Sequence, residues 1–519
     1  MATTDEPVAQ QHDVEPVNRR DKQQPLYAAR KKIHPKRAEG TFRRFKWLVM
    51  AVTLGIYYIT PWIRWDRGDF APDQAVLIDL VNRRFYFFFI EIWPQEFYYV
   101  AGMLVMAGIG LFLVTSSVGR AWCGYTCPQT VWVDLFLVIE RAVEGERNKR
   151  IKLDKEPWSA SKIGKRTLKH AIWVLIALST GGAWIFYFAD APQLAMNFIS
   201  GEAPGVAYST VAVLAFTTYT LGGLMREQVC TYMCPWPRIQ GAMLDEHSLT
   251  VTYNNWRGEP RSRHQKRSQE EGKPIGDCVD CNACVAVCPM GIDIRDGQQL
   301  ECITCALCID ACDAVMDKVG HERGLISYAT LSDYNSNMRM ALNEETGRIE
   351  PERVRDSDRK LSSAVKHTTI KSVFRPRTLA YFSVWALIGL AMSYHVATRG
   401  RLDLNILHDR NPLFVTLSNG DVRNGYTVKV LNMMPEPRTV RVSLSGVPGA
   451  VMSLPESSDD PTDVLYLDVE PDKLRNQRIF VRANPAEMPD ATMELTFTVQ
   501  DIFGSERAEY ETRFETGGQ

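Results

Sequence analysis

The sequence predicts a multi-pass α-helical membrane protein with about five transmembrane helices, a cysteine-rich soluble domain inserted before the last of them, and a C-terminal all-β domain. Three observations predict it. Five segments lack Asp, Glu, Lys and Arg over lengths that can cross about 30 Å of hydrocarbon. All twelve cysteines sit in metal-type spacings. From residue 403 onward, short alternating apolar runs are separated by Pro, Gly, Asn and Asp turns.

Residues 1–46 are polar and then basic, with no apolar stretch of the kind a cleaved signal peptide carries, and read as a largely disordered arm. The spans are 47–63, 97–119, 171–189, 203–225 and 378–398, the first at the short end of the range. Basic residues gather before the first span (Arg43, Arg44, Lys46 and those preceding them) and in the loop 141–169, whereas 190–202 has none. The positive-inside rule therefore places the N-terminus, the loop 141–169 and the insert 226–377 in the cytoplasm, and residues 403–519 on the far side. A net charge of −1 over 519 residues gives no global attraction to nucleic acid.

The insert carries two runs of the form CxxCxxCxxxC: Cys278, Cys281, Cys284 and Cys288, then Cys302, Cys305, Cys308 and Cys312. This is the pattern of a two-cluster ferredoxin, in which three ligands of one run and the fourth of the other surround each [4Fe–4S] cluster. Crossed ligation assigns Cys278, Cys281, Cys284 and Cys312 to cluster 1, and Cys288, Cys302, Cys305 and Cys308 to cluster 2. Zinc is the competing reading, but zinc ribbons use separated CxxC pairs rather than this double run. Pro289 follows the first run as the pattern expects; Asp313 stands where a second proline would.

The other four cysteines form two matching elements, Cys123-Gly-Tyr-Thr-Cys127-Pro128 and Cys230-Thr-Tyr-Met-Cys234-Pro235, each just after an apolar span. Residues four apart share one side of a helical turn, so Cys123, Cys127, Cys230 and Cys234 can make a four-thiolate pocket at the cytoplasmic membrane edge. Soft thiolates suit Cu(I), iron–sulfur and zinc, and the metal, or a disulfide cycle in its place, stays open at this point. Weaker candidates are Glu91 and Glu96 at the outer entrance to the second span, His170 and His395 at opposite ends of their spans, and Met225, Met233 and Met243 near the second thiol pair.

The strands around 426–431, 439–444, 464–469, 478–482 and 493–499 read as a β-sandwich with no cysteine, an interaction or stability module.

Taken together, Ile92-Trp-Pro-Gln-Glu-Phe-Tyr-Tyr99, Trp122 through Pro128, Cys234-Pro235 through Gly241-Ala-Met-Leu-Asp245, Tyr253 through Arg261 and the double cysteine run resemble the FixG/Rdx-type cytochrome c oxidase accessory proteins over nearly the whole chain. The resemblance implies an immunoglobulin-like C-terminal domain in the periplasm of a bacterial inner-membrane protein. It implies two [4Fe–4S] clusters and reduction of Cu(II) to Cu(I) in support of the copper centre of a cbb3-type oxidase. The expected partners are that oxidase or its copper chaperones, an unidentified cytoplasmic electron donor and membrane lipid. Two other readings of the same residues are a quinol-linked electron-transfer subunit and a non-enzymatic assembly scaffold.

Overall fold

The computed structural model describes residues 9–17, 32–69, 71–272, 274–356, 360–455, 460–488 and 490–517. Their contacts divide the chain into two units, one from the described residues of Met1–Pro61 and Tyr98–Gly389, the other from those of Trp62–Phe97 and Leu390–Gln519.

The helices of the first unit's membrane part are α1 (Thr41–Ile59), α2 (Tyr98–Val118), α3 (Ala121–Tyr125), α4 (Pro128–Glu144), α5 (Arg147–Lys155), α6 (Ala160–Ile185), α7 (Ala191–Ser200) and α8 (Gly205–Thr218). Three helical segments among the described residues are long and apolar enough to cross a membrane: Pro94–Val118, Ala160–Ile185 and Pro376–Thr398. The expected first and fourth spans fall short of that. α1 begins in basic sequence and buries Arg43 and Lys46, leaving an apolar stretch of roughly 20 Å at 1.5 Å per residue. The fourth is regular α-helix only to Thr218, then π-helix over Tyr219–Met225. α6 starts well before its apolar part because Ser159 caps it, accepting from the Lys162 N–H at 3.2 Å. α6 and α8 cross closely at Gly181, where a Cβ would lie 2.8 Å from the Val211 carbonyl.

The cysteine-rich insert is closed by an antiparallel pair, β4 (Thr250–Tyr253) with β5 (Ile326–Ala329), in register Thr250↔Ala329 to Tyr253↔Ile326. Val251, Tyr253, Ile294, Ile309, Met316, Leu325 and Ile326 form its core around Cys278 and Cys284. The helices α9 (Trp236–Met243) and α10 (Leu307–Val319) flank the cysteine runs.

The basic arm differs from expectation. Although residues 9–17 and 32–39 form no helix or strand, His12 N–H donates to the Cys281 carbonyl at 3.0 Å, Val17 to Gly291 at 2.8 Å and Lys36 to Ala286 at 2.8 Å. Unpaired backbone groups satisfied by the cysteine loops order these stretches without secondary structure. The remainder of the arm lies outside the described residues.

The second unit contains a three-stranded meander, β1 (Val76–Asp79), β2 (Arg84–Phe87) and β3 (Ile90–Ile92), and the predicted sandwich. One sheet of the sandwich runs β10 (Val451–Ser453), β12 (Leu474–Ala483), β8 (Val422–Asn432), β6 (Leu402–His408), with β7 (Val415–Thr416) also on β8. The other runs β11 (Val464–Val469), β9 (Arg438–Ser445), β13 (Thr492–Asp501), β14 (Arg507–Glu515). Period-two alternation sends Val428, Val430, Val440, Val442, Ile479, Val481, Leu495, Phe497 and Val499 into one core. The meander is joined to the sandwich by Arg84, which pairs with Glu91 at 3.4 Å and Asp472 at 3.3 Å, and by Arg399, which pairs with Glu96.

Candidate metal centres and the path between them

Each cysteine run coils through the same unusual backbone. In the first, Asp280 and Asn282 have φ of 46° and 59°; in the second, the corresponding Thr304 and Ala306 have φ of 54° and 59°. Left-handed non-glycine residues cost on the order of 1–3 kcal/mol each and persist only where the surroundings over-determine them. Here the repeated twist folds each CxxCxxC into a loop whose backbone N–H groups point back at sulfur, as at Cys281, Cys288 and Cys302. Cys278, Cys281, Cys284 and Cys312 line one small cavity. Cys288, Cys302, Cys305 and Cys308 line another, with Cys284 on the wall they share. These are the two groups expected from crossed ligation, and eight convergent thiols with inward amides fit the donor set of two cubanes.

Burial pushes the Cys288 thiol up to about 12 and Cys302 up to about 11, so ligation must displace protons there. Beside the first group, the Arg295 side chain is only 6% exposed and bonded to Asp293 at 2.6 Å and Asp280 at 2.8 Å, and its charge acts on Cys284 and Cys278. It would neutralise part of the negative charge of a cluster held there. Asp313 accepts from Gly324 N–H at 3.0 Å, so the position that departs from the proline pattern anchors the turn into β5.

The membrane thiols are presented differently from the single helical turns expected. Cys123 lies in the short α3, Cys127 caps α4 with extended ψ, and Pro128 takes the first helical position. Cys230 lies in a π-helix, Val229–Met233, and Cys234 closes it with an N–H bond to the Val229 carbonyl at 2.8 Å. π-Helical insertions are frequent at functional sites. The two elements are held together by Gln129, whose Nε2 donates to the carbonyls of Leu221 at 2.8 Å and Arg226 at 3.2 Å. Buried charge reinforces this: Glu140 on α4 pairs with Arg226 at 2.8 Å and Arg150 at 3.3 Å. Burial alone would raise Glu140, but Arg226, Arg150 and Lys169 outweigh it and hold the carboxyl at about 2.

The result is convergence. Cys123 lies within electrostatic reach of Cys127 and Cys234, and Cys230 within reach of the other three. Burial pushes Cys123 up to about 11 and Cys230 up to about 12. The Cys123 thiol donates to Gln240 Oε1 at 3.0 Å, and Gln240, fully buried, donates onward to Thr115 at 3.2 Å. All twelve cysteines are free of disulfides.

Cys123 packs in one apolar cluster with Cys305, Cys302, Cys288 and Cys230. Contact is direct: a Cβ on Gly124 would fall 2.6 Å from the Ile303 carbonyl and 3.0 Å from the Cys305 Cα, so only glycine fits. Tyr125 donates its hydroxyl to the Cys305 carbonyl at 3.2 Å. The Gly and Tyr of the first element thus dock it on the loop holding Cys302, Cys305 and Cys308. Arg120, buried at the end of α2, donates to the Leu300 carbonyl, and its charge acts on both Cys123 and Cys302.

Other sequence candidates fall elsewhere. Glu91 and Glu96 belong to the meander's ion pairs, and burial with Asp472 nearby raises Glu91 to about 7 despite Arg84 and Arg399. His170 bonds Tyr219 at 2.9 Å and packs on Trp173. Met233 is exposed and Met243 buried. Sequence reasoning missed Arg120, Gln240 and Arg295. Arg120 had a signal, a lone basic residue just before the first thiol element; Gln240 and Arg295 had none.

Three family models match. A 4Fe-4S dicluster domain covers residues 225–331, a 4Fe-4S binding domain residues 100–144, and an IG-like fold at the C-terminus of FixG residues 392–517. The chain is 62% identical over 506 residues to nitrogen fixation protein FixG of Rhizobium meliloti (strain 1021), covering 98% of this chain and 97% of that one. It is 49% identical over 500 residues to protein RdxB of Cereibacter sphaeroides, covering 95% and 98%. A crystal structure of a FixG-related protein from Vibrio parahaemolyticus aligns with 23% of this chain and 99% of that one, at 23% identity and a TM-score of 0.20.

Proposed function

The chain belongs to the FixG/Rdx family of membrane-associated iron–sulfur electron-transfer proteins, and from that premise we propose that it reduces Cu(II) to Cu(I) in support of copper-centre assembly in a cbb3-type cytochrome c oxidase. When bound, [4Fe–4S] clusters supply one-electron storage and transfer. The residues supply the route. Cys278, Cys281, Cys284 and Cys312 would hold the first cluster, and Cys288, Cys302, Cys305 and Cys308 the second. The loop of the second rests on Gly124 and Tyr125, and through them on the thiols Cys123, Cys127, Cys230 and Cys234. That contact is the observation that carries the reading, because it joins the dicluster insert to the soft-donor site by packed protein.

Substrate Cu(II) takes one electron at this thiol site and leaves as Cu(I), the oxidation state soft sulfur prefers. Arg120 and Gln240 hold Cys123 in place, and burial keeps the Cys123 and Cys230 thiols protonated until a cation displaces their protons. In our reading α1 and α8 complete a five-span bundle. The N-terminus and insert face the cytoplasm, where an unidentified donor supplies electrons, and the sandwich faces the periplasm, where it meets the oxidase or its copper chaperones.

Cells carrying only a Cys127→Ala, Cys234→Ala chain at low copper test this. The variant should accumulate in the membrane with its dicluster absorbance but leave the oxidase short of copper. Normal oxidase maturation in those cells would refute the role of the thiols.

A further inference from the structure

We propose that the sandwich's hairpin tip Ile502–Phe503, with the turn Leu80–Val81 of the meander at the same end, is inserted into the lipid interface, so that the second unit rests on the bilayer to which Pro376–Thr398 tethers it. The proposal needs only that this helix spans a membrane, and it stands apart from the copper reading.

Strand direction says which end of the sandwich faces the bilayer. Thr398 ends the last apolar helix, and β6 begins at Leu402, opposite Asn432 of β8. Leu474 pairs with Leu431, Val469 with Arg438 and Asp501 with Val440. The turns 433–437, 470–473 and 502–506 therefore gather where the chain leaves the bilayer, and His408 and the loop after it lie at the opposite end. Arg401 is three residues past the helix, at most about 11 Å of chain, and its N–H donates to Glu506 in the third turn at 3.2 Å. Lipid headgroups form a layer on the order of 5–8 Å thick on each side of the hydrocarbon. The tip of that turn is thus held at headgroup depth.

The exposed apolar surface is concentrated there. Phe503 is 90% exposed and Ile502 44%, and in the meander Val81 is 92% exposed and Leu80 63%. Asp79 pairs with Arg84 across the turn Leu80–Arg83, and Arg84 donates to the Asp472 carbonyl in the turn 470–473, which fixes the meander turn at the bilayer end. Among the described residues, the exposed large apolar side chains toward the opposite end are Leu407 and Leu413, each about half covered. A phenylalanine ring in water at a hairpin tip is unfavourable, and its transfer to hydrocarbon is favourable.

The tip is also built to leave water. The Ile502 N–H donates to the Thr439 carbonyl at 3.2 Å and the Phe503 N–H to Asp501 Oδ1 at 3.1 Å, so both backbone donors stay paired in a less polar medium. A Cβ on Gly504 would lie 2.6 Å from Asp501 Oδ2, so the turn closes tightly on Asp501. Arg401 and Arg83, both exposed, place cations where phosphates lie. A protein occupant would have to fit within the few ångströms between this turn and the bilayer; lipid is already there.

Full-length protein carrying p-benzoylphenylalanine at Phe503 is irradiated in native membranes, purified and weighed intact. The proposal expects a mass gain of one phospholipid, with little or none when the same residue replaces Leu413 at the far end. A lipid adduct no more frequent at 503 than at 413 overturns it, as does a crosslink from 503 to protein in place of lipid. Hydroxyl-radical footprinting of the wild-type protein in the same membranes needs no substitution. Phe503 should be oxidised several-fold less than Tyr466, which is 63% exposed on the edge strand β11; equal or greater oxidation of Phe503 overturns the proposal. Neither readout involves iron or copper, so the membrane contact and the copper reading can fail independently.

Discussion

Gly124→Ala is the smallest change that strikes the contact between the two halves of the proposed route. Its added methyl would sit 2.6 Å from the Ile303 carbonyl oxygen and about as close to the backbone as the Cys305 Cα at 3.0 Å and N at 3.1 Å. None of these atoms is the free end of a side chain, so either α3 lifts off the cysteine loop or the loop deforms. Overpacking of this kind costs about 1–3 kcal/mol, and if the cost falls on docking it lowers the docked population by roughly tenfold to a hundredfold. Reduced full-length protein mixed anaerobically with Cu(II) should then lose its dicluster reoxidation rate, read as recovery of absorbance, by about that factor, with dicluster iron unchanged. Gly164→Ala in α6, where a Cβ meets nothing within 4 Å, is the control and should leave the rate alone. A Gly124→Ala protein that reoxidises as fast as wild type would refute the claim that this contact lies on the electron path.

Asp310, between Cys308 and Cys312, accepts the N–H groups of Phe42 at 3.1 Å and Arg43 at 2.7 Å and so caps α1 from another element; Asp310→Ala should cost about 1 kcal/mol in thermal denaturation, with partial recovery in Asp310→Asn. Arg295→Gln removes the positive charge beside Cys284 and Cys278, so redox titration should show the first cluster shifted to lower potential and the second little changed. Glu91 carries a folded-state pKa of about 7 against an ordinary 4.5, so the folded form holds its proton more tightly. Stability of the second unit is therefore fullest below about 4.5 and falls as pH rises through 7, by at most about 3 kcal/mol, and Glu91→Gln should flatten that dependence in melts followed by tryptophan fluorescence.

What could be read in the sequence was local in origin. Spacing alone assigned the eight insert cysteines to the two groups that line separate cavities, because three ligands come from one tight loop. Alternation located the sandwich strands, since Val428, Val430, Val440 and Val442 face one core at period two. Long-range pairing was not legible. Nothing in the composition of 62–97 says that Arg84 will meet Asp472 and make the meander part of the second unit. Nor does polarity distinguish an arm with no partner from one whose His12 and Lys36 backbones bond to cysteine loops far along the chain. Apolar length did not show how α1 and α8 are built, where a buried Arg43–Asp134 pair at 2.8 Å begins one and a π-helix ends the other. In the thiol elements the sequence repeat was visible, but Gly124 could be understood only once Ile303 and Cys305 stood against it.

The most direct test of the central claim is rapid anaerobic mixing of the dithionite-reduced full-length protein with Cu(II) and a Cu(I)-specific chelator, recording dicluster absorbance and Cu(I) together. The account predicts that each electron the clusters lose, read as recovery of the iron–sulfur absorbance, emerges as one Cu(I), and that Cys127→Ala, Cys234→Ala uncouples the two while keeping the dicluster reduced. Dicluster centres that remain reduced in the presence of Cu(II), or a variant that reduces copper as fast as wild type, would contradict it.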